Sequence, residues 1–338
     1  MFSSSISDAE DKFISYLPNV GKYYENKRNY SVDFETNKNT TSLLSPYIRY
    51  RAISEEKILK QVLQKHGPRK AEKYIQEIFW RTYWKGWLEH RPEVYSNYLI
   101  EKNKLYEEFK NKKYYLNAVN ANTNLSFFNT WVNDLKNNGY LHNHIRMWFA
   151  SIWIFTLKLP WQLGADFFMQ NLLDGDPASN TLSWRWSAGI QTKGKNYIAR
   201  KKNIEKYSNV KLKFNEVLEE NAEPLIDNKD YKINDLKTHK ILHINDIYNI
   251  IIPTDEINIL KDLNITNCNS FVGYPIEDYN DHYFNNKILQ HIKNLVISSF
   301  SNDKINVNIK IKISFDNYYE ELDKWIIENN VKVVHLPY

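Results

Sequence analysis

Apolar positions recur with a helical spacing from the N-terminus to about Tyr207. Beyond it they fall into short alternating runs set between helices. The first amphipathic segment covers Ala9 to Leu17, and a polar loop extends to about Asn39. Ser45 as N-cap with Pro46 at the first helical position predicts a helix, and Ser54 caps the next, whose first turn carries Glu55 and Glu56. Gly67-Pro68 marks a break before a long helix over Arg69 to Glu89. Arg91 to Thr123 is polar and weakly periodic, and predicts only a short helix, Ile100 to Phe109, in exposed loop. Phe127 to Leu135 restarts an amphipathic helix that Asn137-Asn138-Gly139 closes. A helix follows over Tyr140 to Leu157, stopped by Pro160, and then one over Gln162 to Leu173.

From Asn209 to Asp235 the chain is acidic, Asn-rich and irregular, which reads as a linker. Strand patterns follow at Lys240 to Ile244, Asn249 to Ile252, Ser270 to Val272, Ile305 to Phe315 and Val331 to Leu336, with helices at Asn286 to Ser299 and Tyr318 to Asn329. The fold class expected is mostly α, a helical domain followed by a small α/β region. The expected division is a helical domain over 1–215, a linker over 216–235 and a small α/β domain over 236–338. That last domain reads as degenerate or cut short, because the chain stops where such sheets place a ligand loop.

Composition narrows the classes. The single Cys268 excludes an internal disulfide or a cysteine metal cluster. No apolar run reaches membrane-spanning length and the first residues lack a signal-peptide core, so a cytoplasmic protein is expected. A net charge of +5 leans only mildly toward polyanions, while 10 Trp and 24 Tyr suit wide pockets and stacking surfaces.

Polar groups concentrate in sequence that otherwise reads as core. His142, Asn143, His144 and Arg146 interrupt one apolar helix, Asp174-Gly175-Asp176 forms an acidic turn, and Trp184-Arg185-Trp186 follows. Burying so many is costly unless each finds a partner, which suggests a polar ligand. Asp-Gly-Asp lacks the further oxygen ligands of a calcium loop, and histidines two apart cannot share a helix face, so no metal site is expected. Walker loop, dinucleotide fingerprint and nucleophile elbow are missing. Thr41, Ser42 and Ser45 cluster before a helix N-terminus, where an anion is favoured, though plain capping explains them as well. Tyr74, Glu77, Trp80, Arg81 and Trp84 share one helix face. The residues alone leave open whether that face is core with a surface ion pair or the floor of a cavity.

In this order, the pieces resemble the FAD-binding helical domain of the photolyase/cryptochrome family over about Tyr30 to Asn203. Thr41-Ser42-Leu43-Leu44-Ser45-Pro46-Tyr47 is similar to the family's TSRLSPY segment, with Leu43 in place of the arginine. Glu77-Ile78-Phe79-Trp80-Arg81 resembles E-x-x-W-R, and Leu141-His142-Asn143-His144-Ile145-Arg146-Met147 resembles M-H-N-R-x-R-M. Asp174-Gly175-Asp176-Pro177-Ala178-Ser179-Asn180 matches D-G-D-x-A-x-N, and Trp184-Arg185-Trp186 matches W-x-W.

The resemblance implies FAD, active in reduced form. Thr41, Ser42 and Ser45 would hold its diphosphate, Arg146 and Asp174 would pair beside the flavin ring, Asp176 would sit at the ring edge or ribityl, and Asn180 would face N5. Tyr30, Leu43, Leu44, Arg81, Asn143 and Gly175 complete the cofactor contacts it implies. Glu77, Trp80, Asn143, Met147 and Trp186 would line a lesion cavity, with Lys193 and Lys195 toward DNA. Trp184 and Trp161 correspond to members of an electron-transfer relay whose surface member has no counterpart here. Flavin-domain sequence begins almost at once, so no antenna domain and no second chromophore are expected.

The function implied is light-dependent repair of pyrimidine dimers in UV-damaged DNA by a monomer. Asn143 and Met147 match the cyclobutane type better than the (6-4) type. A cryptochrome-like photoreceptor is the alternative, and a non-enzymatic nucleic-acid binder using basic residues and aromatics such as those of Lys193 to Lys206 is a third.

Overall fold

A computed structural model describes residues 2–32, 35–36, 38–208, 210–236, 248–262, 264–265, 267–273, 285–300 and 309–336. Along the chain run α1 (Ile6–Tyr16), α2 (Lys22–Lys27), α3 (Ser45–Ile48), α4 (Glu55–Lys70), α5 (Glu72–Glu89), α6 (Pro92–Phe109), α7 (Lys113–Val119) and α8 (Ser126–Asn138). They are followed by α9 (Asn143–Ser151), α10 (Trp161–Asn171), α11 (Pro177–Ala188) and α12 (Lys201–Tyr207). The last part holds β1 (Tyr248–Pro253), α13 (Ile259–Asp262), β2 (Cys268–Gly273), α14 (Asn286–Phe300), β3 (Ile309–Ser314) and α15 (Tyr318–Glu328). The expected strand at 240–244 and the first residues of the one at 305–315 lie outside the described residues.

Local chemistry sets most boundaries. Gly67, at φ 71°, kinks α4 where the Gly-Pro break was expected. Gly139 closes α8 in the left-handed region, φ 66°, and its N–H donates to the Leu135 carbonyl at 2.8 Å. The helix expected over Tyr140 to Leu157 starts later, at Asn143, and widens to a π-turn over Ile152–Thr156. The stretch expected as exposed loop is instead the 18-residue α6 followed by α7, with Val94, Tyr98, Lys102, Tyr115 and Ala118 buried. Its charged residues lie between apolar positions four apart, which a composition reading overlooks.

The chain divides into two compact units, one of residues 1–15, 43–61 and 238–338, the other of 16–42 and 62–237. These do not follow the expected boundaries. The segment expected as a linker belongs to the helical unit, because its polar groups have partners there. Glu216 accepts the Ser126 N–H and hydroxyl at the start of α8, at 2.5 and 2.6 Å. Leu225 N–H donates to the Ala188 carbonyl at 2.9 Å, and Asp227 takes the Arg185 guanidinium at 3.0 Å. The two N-terminal pieces expected in the helical domain belong to the α/β unit. There the Tyr47 hydroxyl donates to Asp8, and His291 lies between the rings of Tyr47 and Tyr50.

The α/β unit carries a parallel sheet in the order β1-β2-β3, with Ile250, Ser270 and Ile311 in register. Buried Phe271 on β2 packs against Tyr318 and Trp325 of α15. β3 alternates as expected of a half-buried strand. The last expected strand is reduced to a bridge between Ile250 and His335.

The core of the helical unit is aromatic. α10 is buried along nearly its whole length, in one cluster with Phe128, Trp148, Phe149, Trp153 and Trp184. That burial fixes α9, α10 and α11, the elements that position the candidate site.

Candidate functional site

The site forms where α11 begins. The Asp176 side chain caps that helix, accepting the Ser179 N–H at 2.8 Å, and Pro177 occupies the first turn. Asp176 is 3% exposed, so its charge needs a partner, and Arg81 from α5 supplies one, Nη1 to Oδ2 at 3.3 Å. Asn180, one turn into α11, donates from Nδ2 to the Ala165 carbonyl at 2.8 Å. That leaves its amide oxygen as an acceptor without a partner among the described residues.

Two residues before Asp176, Asp174 takes both arms of the Arg146 guanidinium, at 3.0 and 2.8 Å. Arg146 also donates from Nε to the Leu141 carbonyl at 2.8 Å and lies over the Tyr140 ring at 5.1 Å. The pair therefore ties α9 to the acidic turn at a single orientation.

His142 caps α9, accepting the His144 N–H at Nδ1 over 3.2 Å, and its Nε2 faces the Thr40 hydroxyl at 3.4 Å. Burial, with His144 and Arg146 nearby, pushes its pKa down from 6.5 to about 4. The neutral ring is the folded form, so the unfolded chain binds more protons between those values. Stability should fall as pH drops from about 6.5 to about 4, by up to about 3 kcal/mol. His144, also pushed down chiefly by burial, acts in the same direction. Urea midpoints measured across that window should slope less in His142→Asn, which keeps a capping acceptor and loses the titration. Equal slopes would remove His142 from the account.

Other candidates are placed as follows. Asn143 and Met147 share the outward side of α9, with Asn143 Nδ2 at 3.9 Å from Met147 Sδ. Glu77 is paired with Arg28, which sequence reasoning missed because no spacing links them. Trp80 is 47% exposed and stacks on Trp84 at 5.5 Å. Trp186 stacks on Tyr197 at 5.6 Å, and the Tyr197 hydroxyl bonds His144 at 3.2 Å. Tyr30 packs edge-on to Tyr207 at 5.0 Å. Lys195 is exposed, and Lys193 reaches the exposed Asp230 at 3.4 Å.

The hydroxyl segment is divided. Thr41 and Ser42 group with the helical unit, and Leu43, Leu44 and Ser45 with the α/β unit. The expected anion-binding helix start is a single turn, α3, with Leu44 at the cap position and no side-chain cap. So short a turn carries little dipole. Ser42 receives the Tyr74 hydroxyl at 3.3 Å, while Thr41 Oγ1 is buried beside the Tyr140 hydroxyl.

Trp184, 2% exposed, is in edge-on ring contact with Trp153 at 6.3 Å and with Phe168 at 5.0 Å. Trp161 instead stacks on Tyr98 at 5.5 Å, with the Arg185 guanidinium 5.9 Å from its ring. Trp153 was not singled out from sequence, where it reads as one more apolar residue of its helix. Among the described residues no group of three or more His, Cys, Asp or Glu side chains could hold a metal ion, and no helix is long and apolar enough to cross a membrane.

A family profile described as the FAD binding domain of DNA photolyase matches residues 74–214. Over that stretch the chain is similar to the photolyase FAD-binding domain. A photolyase of Buchnera aphidicola, named deoxyribodipyrimidine photo-lyase, is 31% identical over 177 residues, 51% of this chain and 37% of its own length. One from Agrobacterium fabrum is 28% identical over 184 residues, 54% of this chain and 37% of its own. The chain spans a little over a third of the length of these curated relatives.

Among solved structures, a class III photolyase from Agrobacterium tumefaciens superposes with a TM-score of 0.50 at 27% identity, over 60% of this chain and 42% of that one. A cryptochrome from Synechocystis shares the fold, with a TM-score of 0.52 at 20% identity over 61% of this chain and 44% of its own. The photolyase match takes in the site from Glu77 to Lys195 and leaves out Tyr30 and the Thr41 to Ser45 segment. A buried carboxylate beside a guanidinium and an amide oxygen with no partner among the described residues form a donor and acceptor set that suits FAD.

Proposed function

We propose that this protein is a light-dependent DNA repair flavoprotein that splits UV-induced pyrimidine dimers, of the cyclobutane type before the (6-4) type. One observation carries the reading. Arg81, Asp176 and Asn180 converge at the start of α11, beside the Arg146–Asp174 pair, inside the stretch that matches the photolyase FAD-binding domain.

Bound FAD would supply light absorption and one-electron chemistry, as donor to the dimer in its reduced form. The chain's own part is to hold, orient and exclude. Asn180 offers its amide oxygen to a ring N–H at N5. Arg146 and Asp174, locked to each other, present fixed charges that need no reorganisation when charge moves nearby. Asp176 and Arg81 would anchor the ribityl side, and the Thr41 and Ser42 hydroxyls would meet the diphosphate. No nucleophile is required, in keeping with the lack of a nucleophile motif.

Damaged DNA would be held by other groups. Trp80, half-exposed on α5, offers a stacking face to a base taken out of the duplex, as photolyases require. Glu77, Asn143, Met147 and Trp186 would line the same cavity, and Lys193 and Lys195 would meet phosphates. The pairing of Glu77 with Arg28 favours the second reading, a photoreceptor, because it occupies the carboxylate otherwise available to a base.

The test is direct. Purified protein should be yellow, and after reduction should restore dimer-containing oligonucleotides under blue or near-UV light but not in darkness. Trp80→Ala should weaken binding to damaged DNA by about one to two powers of ten, the loss of one base-stacking contact. Flavin binding without repair or lesion preference would establish the photoreceptor, and a colourless protein would sink both.

A further inference from the structure

We infer that electrons reach Trp184 through Trp153 and Tyr115, so that this chain closes its photoreduction path on a tyrosine. The inference rests on the flavin half of the function proposed above and on two ring contacts within the helical unit.

The rings form a continuous line. Trp184 on α11 meets Trp153 edge-on, with centroids 6.3 Å apart at 85°. Trp153 meets Tyr115 on α7 in the same way, at 6.2 Å and 89°. Trp184 and Trp153 are enclosed, at 2% and 0% exposure, and Tyr115, at 8%, is the most exposed of the three. Gly164 explains the close first contact. A Cβ there would lie 2.3 Å from Trp184 and 2.9 Å from Trp153 Nε1, so its absence lets both indoles rest on the backbone of α10.

Electrostatics separates this line from the one through Trp161. A tryptophan that has lost an electron carries a positive charge. Trp161 has the Arg185 guanidinium 5.9 Å from its ring, which attracts the neutral ring and repels the oxidised one. Asp227 offsets part of that charge, at 3.0 Å from Arg185. Trp153 carries no such burden, and its indole N–H donates to the Pro160 carbonyl at 2.9 Å, a bond that strengthens as the ring becomes positive.

Bound oxidised FAD would supply the photoexcited acceptor, and Trp184 would give up one electron to it. Trp153 refills Trp184, and Tyr115 refills Trp153. Tyr115 releases its phenolic proton to solvent and is left as a neutral phenoxyl radical. A thiol in solution returns one hydrogen atom to it, leaving a thiyl radical.

The experiment uses the full chain with oxidised FAD, illuminated with blue light and frozen for electron paramagnetic resonance, with and without ring-deuterated tyrosine. A tyrosyl signal that narrows on deuteration is expected. Tyr115→Phe should lose it and leave a tryptophan-type signal, while Tyr98→Phe, which removes the phenol stacked on Trp161, should leave it unchanged. Trp153→Phe should lose both the signal and the bleaching of flavin colour by dithiothreitol in light. If that variant does not fold, Tyr115→Phe decides alone.

A tyrosyl signal that depends on Tyr98 instead, or a Trp161→Phe variant that loses bleaching while Trp153→Phe keeps it, overturns the inference and leaves the repair reading standing. Photoreduction without repair leaves the inference standing and sinks the repair reading. A protein without flavin sinks both.

Discussion

Arg146→Ala should destabilise the helical unit by about 3–5 kcal/mol, the usual consequence of stranding a buried charge. The Asp174 side chain is 5% exposed and takes both arms of the guanidinium, at 3.0 and 2.8 Å. Its loss leaves a carboxylate that must stay charged in a poor environment or take up a proton. It also frees the Leu141 carbonyl, which Arg146 Nε bonds at 2.8 Å. Urea denaturation followed by far-UV circular dichroism reads the change.

A second variant isolates the cause. Arg146→Met combined with Asp174→Leu removes both charges and keeps bulk, and should recover most of the lost stability. On the function proposed, that double variant should fold and fail to retain FAD. If Arg146→Ala costs under about 1 kcal/mol, the pair behaves like an exposed surface bridge and is not what fixes the site.

Elements whose signals are local could be read in the sequence. The apolar spacing of Phe127, Phe128, Trp131 and Leu135, with Gly139 after it, fixes α8 to within a residue or so of expectation. The alternation from Ile309 to Ser314 gives β3, and the amphipathic run of Ile288, Ile292, Leu295 and Val296 gives α14. In each case the information lies within one or two turns of the residue concerned.

What was not legible depends on partners far away in the chain. Lys102 looked solvated in a Lys- and Asn-rich stretch, yet it is buried beside Asp166 at 3.5 Å. No local pattern announces that Tyr47 and Tyr50 enclose His291, or that Glu216 closes the start of α8. The acidic turn and the Asn143 helix stood out as polar groups in apolar sequence. Their grouping with Arg81 came from the family resemblance and not from spacing. Arg28 and Trp153 had neither signal, one being a charge among charges at the end of α2 and the other one aromatic among many. The resemblance also carried the Thr41 to Ser45 segment as one unit, and the structure divides it at Ser42, with the buried Tyr47 bonding Ser3 and Asp8 within the α/β unit.

Gly164→Ala pits two effects of opposite sign. Within a helix, alanine is preferred over glycine by roughly 1 kcal/mol, which alone predicts a gain. The added Cβ would stand 2.3 and 2.4 Å from the Trp184 ring and 2.9 Å from Trp153 Nε1. Neither ring has room to retreat. Trp184 is enclosed by Phe149, Trp153 and Phe168, and Trp153 is held to the Pro160 carbonyl. Overpacking of this kind typically costs about 1–3 kcal/mol, and more where rigid rings must shift. The contact is far inside any tolerable separation, so the steric cost should win and leave a net loss of about 2 kcal/mol or more. Thermal unfolding should fall accordingly, with a change in near-UV circular dichroism as the indole pair moves apart. A neutral or stabilising result would mean that the two rings are not packed on the α10 backbone, and the electron path through Trp153 would lose its first contact.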